Sequence, residues 1–251
     1  MNLKDLKIEY NELLVNYESV KKIKFVNDMS KNNDTDVIAF HYEILSNKDN
    51  SDFFYSIRAS FKKHNETAKY FLLDKLETET NKELKAETLF ILGAWKPLDE
   101  SDKKKIKKVA IEFIDKKENY TNEYYGIIVL GWIGGKKEIS ILENELLSNE
   151  NDQLRWYSAT ALRQIFYKQA DLKNDILKLY YTSLKTETKE EIVQSLIACV
   201  QDLVEKKFGI KESMRGVISG SIEKAKPKAL KFLEKELLWE YHYMMKSLII
   251  V

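Results

Sequence analysis

Three stretches of this chain fall on one template: Lys85 to Gly93, Glu123 to Gly131 and Arg155 to Arg163. A fourth, Lys189 to Ile197, fits more loosely. Each carries a leucine at the same place, and these leucines (Leu92, Leu130, Leu162 and Leu196) stand 38, 32 and 34 residues apart. A segment that recurs at this spacing cannot bury its apolar face alone and must stack on its neighbours, which is the signature of a helical solenoid. The turn-forming residues agree. The 251 residues include 2 prolines and 8 glycines, too few for the tight turns of a sheet-rich fold. No Asn-Gly or Asp-Gly hairpin signal occurs.

Helical periodicity runs through most of the chain. Phe71, Leu72, Leu73 and Leu76 share one helical face, as do Ile106, Val109, Ala110 and Phe113, and Ile176, Leu177, Leu179 and Tyr180. The helices pair as 66–78 with 82–95, 102–117 with 122–134, 137–148 with 152–168, and 172–184 with 188–206. Short polar connections make the two members of each pair antiparallel neighbours. Asn81, Ser101, Asn122, Asp152 and Asp171 stand where start signals belong, and Thr188 with Glu191 has capping-box spacing.

The stretch Leu154-Arg155-Trp156-Tyr157-Ser158-Ala159-Thr160-Ala161-Leu162 resembles the second helix of a HEAT repeat. That pattern has a basic residue, small residues and a closing leucine-glycine, which Leu92-Gly93 and Leu130-Gly131 supply. The resemblance covers about residues 66–206. It implies an all-α fold, a right-handed α-solenoid of antiparallel helix pairs. Glu123 in place of the basic residue, Arg163 and Ile197 in place of the glycine, and an irregular period depart from the pattern. The chain then reads as a single solenoid domain, 1–251. Residues 1–62 are divergent N-terminal helices, 66–206 four HEAT-like pairs, and 207–251 a loop and a C-terminal capping helix.

At the N-terminal end, Leu6, Tyr10, Leu13, Leu14, Tyr17, Val20 and Ile23 form one apolar stripe, followed by a polar loop from Asn27 to Asp36. Helices over Val37 to Leu45 and Phe53 to Phe61 complete the segment. Past Lys207, Phe208 to Ser221 reads as a loop, and Pro227 opens the last helix. Atypical end segments cover the open faces of a stack.

Composition bounds the setting. Lys+Arg is 41 and Asp+Glu 40, a net charge of +1, without the basic excess of a nucleic-acid-binding chain. No secretory apolar core opens the chain and no apolar run has the length of a membrane span. A cytoplasmic location is the expectation. Cys199, the one cysteine, sits among apolar residues and reads as core.

Chemistry-bearing motifs are sparse. His41, His64 and His242 lack zinc-ligand spacing and read as boundary or surface residues. Gly131 to Lys137 superficially resembles a phosphate loop but lacks its spacing and follows a helix, so it reads as a helix end and turn. The lysines of 103–108 and of 224–231 are accompanied by carboxylates and read as solvated faces. No nucleophile elbow occurs. No catalytic residue, metal site or cofactor is expected.

The HEAT resemblance implies that second helices line a concave face. Five and six residues before each aligned leucine, outward positions hold Ala86 and Glu87, Tyr124 and Tyr125, Trp156 and Tyr157, and Glu190 and Glu191. Phe90 stands two before its leucine, and Trp132 two after. Large aromatics thus gather in the middle repeats, flanked by carboxylates. A register shifted by one would return some of them to the core. On an open face they form a recognition surface, since Tyr and Trp dominate interface hot spots. The expected partner-binding residues are Glu87, Phe90, Tyr124, Tyr125, Trp132, Trp156, Tyr157 and Glu191, with a protein partner that has a basic edge.

Two functions follow by analogy of fold. One is a non-catalytic protein-binding module, of the kind represented by immunity proteins that neutralise a toxin domain. The alternative is a HEAT-like alkylpurine DNA glycosylase, in which Asp152, Arg155, Trp156 and Trp132 would form the groove constellation. Glu87, Glu123, Glu190 and Glu191 would repel DNA phosphates there.

Overall fold

A computed structural model describes residues 2–15, 18–47, 51–213 and 217–248, with 51, 52 and 239–248 in backbone only. The described chain is almost entirely helical. It divides into two compact units, Met1–Val129 and Leu130–Val251.

The first unit holds α1 (Leu3–Val15), α2 (Ser19–Lys31), α3 (Thr35–Ile44), α4 (Ser51–Ser60), α5 (Glu66–Thr78), α6 (Lys82–Gly93) and α7 (Glu100–Lys116). The division between units falls inside α8 (Tyr120–Ile133). Tyr10 centres an aromatic cluster, with ring centroids 5.9 Å from Phe25, 5.8 Å from Phe40 and 5.7 Å from Phe53. This cluster sits where α1, α2, α3 and α4 meet. Further along, α5 packs on α6 and α7 around the fully buried Leu72, Leu76, Leu89, Leu92 and Ile106.

The N-terminal stripe is a correction. The chain breaks into α1 and α2, so Leu14, Val20 and Ile23 are exposed while Leu6, Tyr10 and Leu13, then Phe25, Val26 and Met29, face inward. Tyr17 lies outside the described residues. The expected polar loop also shrinks, because Asn27 to Lys31 belongs to α2.

The second unit holds α9 (Ile139–Ser148), α10 (Asp152–Lys168), α11 (Lys173–Thr186), α12 (Glu190–Val204) and α13 (Ile222–Leu248). A two-residue ribbon, β1 (Lys211–Glu212) antiparallel to β2 (Ile218–Ser219), interrupts the expected loop. The Gln201 side chain holds its approach, accepting from Phe208 N at 2.7 Å and donating to the Ile210 carbonyl at 2.9 Å. Pro227 does not open the last helix. It lies inside α13, where Ala225, Ala229 and Leu233 are fully buried and outweigh one missing amide. α9 packs on α10 and α11, α10 on α12, and α13 on α11 and α12.

Helix starts follow the expected sites closely but not residue for residue. Asn81 caps α6, accepting from Glu83 N and Leu84 N. Asp99 caps α7 and Asn151 caps α10, each just ahead of the residue expected. The Asn119 side chain accepts from Asn122 N, and Asp171 lies in a 3₁₀ turn. No Thr188 box forms. Glu187 Oε1 takes both the Thr188 and Lys189 amides at 2.9 Å.

The aligned leucines Leu92, Leu130, Leu162 and Leu196 are all wholly buried. The glycines after two of them have a steric reason. A Cβ on Gly93 would fall 2.6 Å from Val129 Cγ2, and one on Gly131 would fall 2.9 Å from Ala161 Cα. In both cases the residue met immediately precedes the next aligned leucine.

Two histidines are also a correction. His41 and His64 are buried, with His41 Nδ1 2.8 Å from His64 Nε2. Ile57 O, which can only accept, lies 3.0 Å from His41 Nε2. The His41 proton is therefore on Nε2, and His64 Nε2–H donates to His41 Nδ1. The two rings fill a site beside Phe61, whose ring stacks 3.9 Å from that of His41. The His242 side chain lies outside the described residues.

Candidate functional site

Of the sequence-expected surface, the chain brings one part to an open cleft. α10 presents Asp152, Gln153, Trp156 and Tyr157, and α12 with its lead-in presents Lys189, Glu190 and Glu191 over the buried Ile192. The cleft has a volume of about 520 Å³. Residues 152, 153, 156 and 157 share a helical face because the spacing of one and four residues repeats within about one turn. Trp156 and Tyr157 are both half-buried, and their rings meet edge to face at 4.7 Å and 76°. Such a pair keeps its shape while offering apolar area to the cleft.

The charged groups below this pair are tied together. Arg155 is the hub: Nε donates to Glu187 Oε2 at 3.0 Å, Nη1 to the Asn149 carbonyl at 2.8 Å and Nη2 to Asp152 Oδ1 at 2.7 Å. Lys189 Nζ reaches Asp152 Oδ2 at 3.3 Å. Partial burial opposes the Asp152 charge, but Lys189 and Arg155 outweigh it and hold that carboxyl below its ordinary value. Glu190 and Glu191 stand exposed at the rim. Three of the four residues of the glycosylase constellation are therefore brought together. Asp152, Arg155 and Trp156 are neighbours, yet Arg155 is held by two carboxylates and a carbonyl, and Trp132 is not among the residues lining the cleft.

In the first unit the expected surface closes up. Glu87 and Tyr125 are buried, at 2% and 7% exposure. Both had been expected on an open face, and Ala86 beside them is fully buried as well. Arg58 of α4 is the cause. Its Nη1 lies 2.8 Å from the Tyr125 hydroxyl and 3.2 Å from Glu87 Oε2. The Tyr125 hydroxyl in turn donates to Glu87 Oε1 at 3.1 Å. The guanidinium also lies 4.4 Å from the centre of the Phe90 ring, a cation–π contact. Burial and the neighbouring Glu87 push the Tyr125 phenol well above its ordinary pKa. Phe90 and Tyr124 remain half-buried, and Tyr124 stacks on Tyr120 at 5.9 Å. In the second unit Trp132 is half-buried.

Sequence reasoning missed Arg58 and Arg163, and the bridging role of Arg155. The chain has four arginines, Arg58, Arg155, Arg163 and Arg215, against a lysine-dominated basic complement. Arg215 lies outside the described residues; Arg155 and Arg163 each bridge two carboxylates, and Arg58 joins Glu87 to the Tyr125 hydroxyl. Arg163 Nη1 reaches Asp202 at 2.9 Å and Glu212 at 2.7 Å, tying α10 to α12 and the ribbon. A rigid planar fork suits such bridges better than an ammonium, so arginine in a lysine-rich chain was the available signal. Among the described residues no group of three or more metal-binding side chains forms, and no helix is long and apolar enough to cross a membrane. No protein-family model matches the chain, and no curated protein matches it.

Proposed function

We propose that this chain is a non-catalytic, HEAT-like protein-binding module whose receptor is the α10/α12 cleft. The carrying observation is the Trp156–Tyr157 pair, half-exposed on a cleft of about 520 Å³. A large aromatic pair that could have been buried but instead fronts a cavity fits a hot spot better than a core. Glu190 and Glu191 at the rim suit a partner with a basic edge, where opposite charge speeds encounter and selects the partner. Glu87, bound to Arg58, leaves that role to α12 alone. A toxin domain neutralised by an immunity protein is the partner class that this reading favours.

Two observations support the solenoid. The pair α9/α10 packs on the pair α11/α12 through α9–α11 and α10–α12 contacts. Gly93 and Gly131 each meet the residue that precedes the next aligned leucine, as equivalent positions in a repeat would. The test is binding to a partner purified from the native cell. Trp156→Ala should weaken it by ~2 kcal/mol or more, about thirtyfold, with the helical spectrum unchanged. A partner that binds Trp156→Ala and Tyr157→Ala as tightly as the parent would overturn the reading.

A further inference from the structure

We propose, resting on the reading of the α10/α12 cleft as the partner-binding site, that it is an arginine receptor. A guanidinium carried by the partner protein enters it, stacks on Trp156 and pairs with Glu190 and Glu191.

The chain sets out the same residue pair twice and fills it once. Tyr125 and Tyr157 each stand five residues before an aligned leucine, and so do Glu87 and Glu191. Neighbouring helices thus bring a tyrosine and a glutamate of equal register together on α6 and α8, and again on α10 and α12. In the first unit the chain supplies its own cation. The Arg58 guanidinium lies 4.4 Å from the centre of the Phe90 ring, with Nη1 2.8 Å from the Tyr125 hydroxyl and 3.2 Å from Glu87 Oε2. In the second unit Trp156 supplies the ring, and Glu190 joins Glu191. No arginine is among the described lining residues of this cleft. Arg155 is committed to Glu187, Asp152 and the Asn149 carbonyl, and Arg163 to Asp202 and Glu212.

Charge selects the occupant. Asp152 and Lys189 pair at 3.3 Å, which leaves the lining with the charges of Glu190 and Glu191. Both glutamates stand exposed, with no ion pair to another described residue. Together they outweigh the partial positive charge of the α12 N-terminus beside them, about half an elementary charge. The indole face of Trp156 is the best aromatic platform for a cation. A guanidinium uses both features at once, its plane against the ring and its N–H fork toward a carboxylate. An ammonium is a compact, strongly hydrated point charge without that fork. A metal ion would leave the aromatic wall unused, and nucleic acid would bring its phosphates against the glutamates. The cleft of about 520 Å³ has room for a side chain of arginine's length.

The probes are short acetylated and amidated peptides that differ at one central residue: arginine, lysine, or citrulline, which has the shape of arginine without its charge. Each is titrated into the full chain, with calorimetry for affinity and the Trp156 indole N–H resonance for location. The arginine peptide should move that resonance and bind at least about threefold more tightly than the lysine peptide, and the citrulline peptide should leave it in place. Binding should weaken as salt is raised. Glu190→Gln with Glu191→Gln should lower affinity at least about tenfold, and Trp156→Ala should lower it more than Trp156→Phe, which keeps a ring. An unchanged helical spectrum verifies the fold of each variant. Four results would each overturn the proposal: a Trp156 resonance unmoved by the arginine peptide, equal binding of the arginine and citrulline peptides, equal binding of the arginine and lysine peptides, or unchanged affinity in the glutamate double variant. A partner purified from the native cell that loses affinity for Trp156→Ala but not for the glutamate double variant would leave the cleft a receptor and strike the arginine alone. One that binds both variants as it binds the parent would strike both.

Discussion

Arg58 and Tyr125 stand 67 residues apart in sequence, and their polar atoms meet at 2.8 Å. With Glu87 they join α4, α6 and α8 through side chains alone. Removing the cation should expose the weakness of that arrangement, because the buried Glu87 carboxylate would lose the guanidinium and keep only weaker partners such as the Tyr125 hydroxyl. Arg58→Ala should cost ~3–5 kcal/mol in urea unfolding. Arg58→Lys should cost less, roughly 1.5–3 kcal/mol, because one ammonium keeps the charge but loses the fork and the ring contact. Equal losses for the two variants would show that the guanidinium shape is irrelevant.

Acid should destabilise the first unit before its carboxylates titrate. Burial drives the His41 pKa down to about 3, assisted by repulsion from His64, while the Ile57 carbonyl resists. Burial likewise takes His64 down to about 4, against the pull of the Asn32 backbone. In the unfolded chain both imidazoles titrate near their ordinary value, so below it the unfolded state binds more protons. Stability is then complete above about pH 6.5 and falls with pH through the interval down to the folded values, by about 1.4 kcal/mol per pH unit per histidine. Urea unfolding between pH 7 and about pH 5, where most carboxylates remain charged, should show this decline, and His64→Gln should flatten it.

Truncating Leu130 to alanine should cost ~2–5 kcal/mol, since the side chain is fully buried and leaves a cavity. A loss below about 1 kcal/mol would contradict its place in the core. Enlarging Gly126 tests the opposite limit. A Cβ there would fall 2.7 Å from the Ala110 carbonyl oxygen, which backbone cannot yield easily. Gly126→Ala should cost ~1–3 kcal/mol by overpacking, despite the better helix propensity of alanine.

Cys199 should be silent toward thiol reagents in the folded protein. It is wholly buried, and burial raises its thiol to about 11, opposed only in part by Arg163 and Tyr180. Labelling should accelerate with urea in step with the loss of helical signal. Rapid labelling in native buffer would show local opening of α12.

Helix positions were legible in the sequence because apolar spacing and polar connections are local signals. α5 to α12 begin and end close to the expected residues, and the aligned leucines are buried as expected. Faces were less legible. The template assigned Glu87 and Tyr125 outward because it considered one helix at a time. Arg58 arrives from α4, far off in sequence, and no periodicity within α6 or α8 announces it. The histidine pair was missed for the same reason, since His41 and His64 each look like an isolated polar residue until the chain folds them together. Trp156 and Tyr157 are half-buried and line the α10/α12 cleft. The α1–α2 break was missed because apolar residues continue across it.

The contacts of Gly93 with Val129 and of Gly131 with Ala161 carry a consequence for how such a chain can be rebuilt. At these two places α6 is fitted to α8, and α8 to α10, by a pair of sizes, one residue absent a side chain and one occupying the space it leaves. Excising one helix pair, or importing one from elsewhere in the chain, would bring a glycine opposite the wrong neighbour. Helices seated this way are therefore not interchangeable parts, and a designer who wished to add or remove one would have to move the seam residues as a matched set.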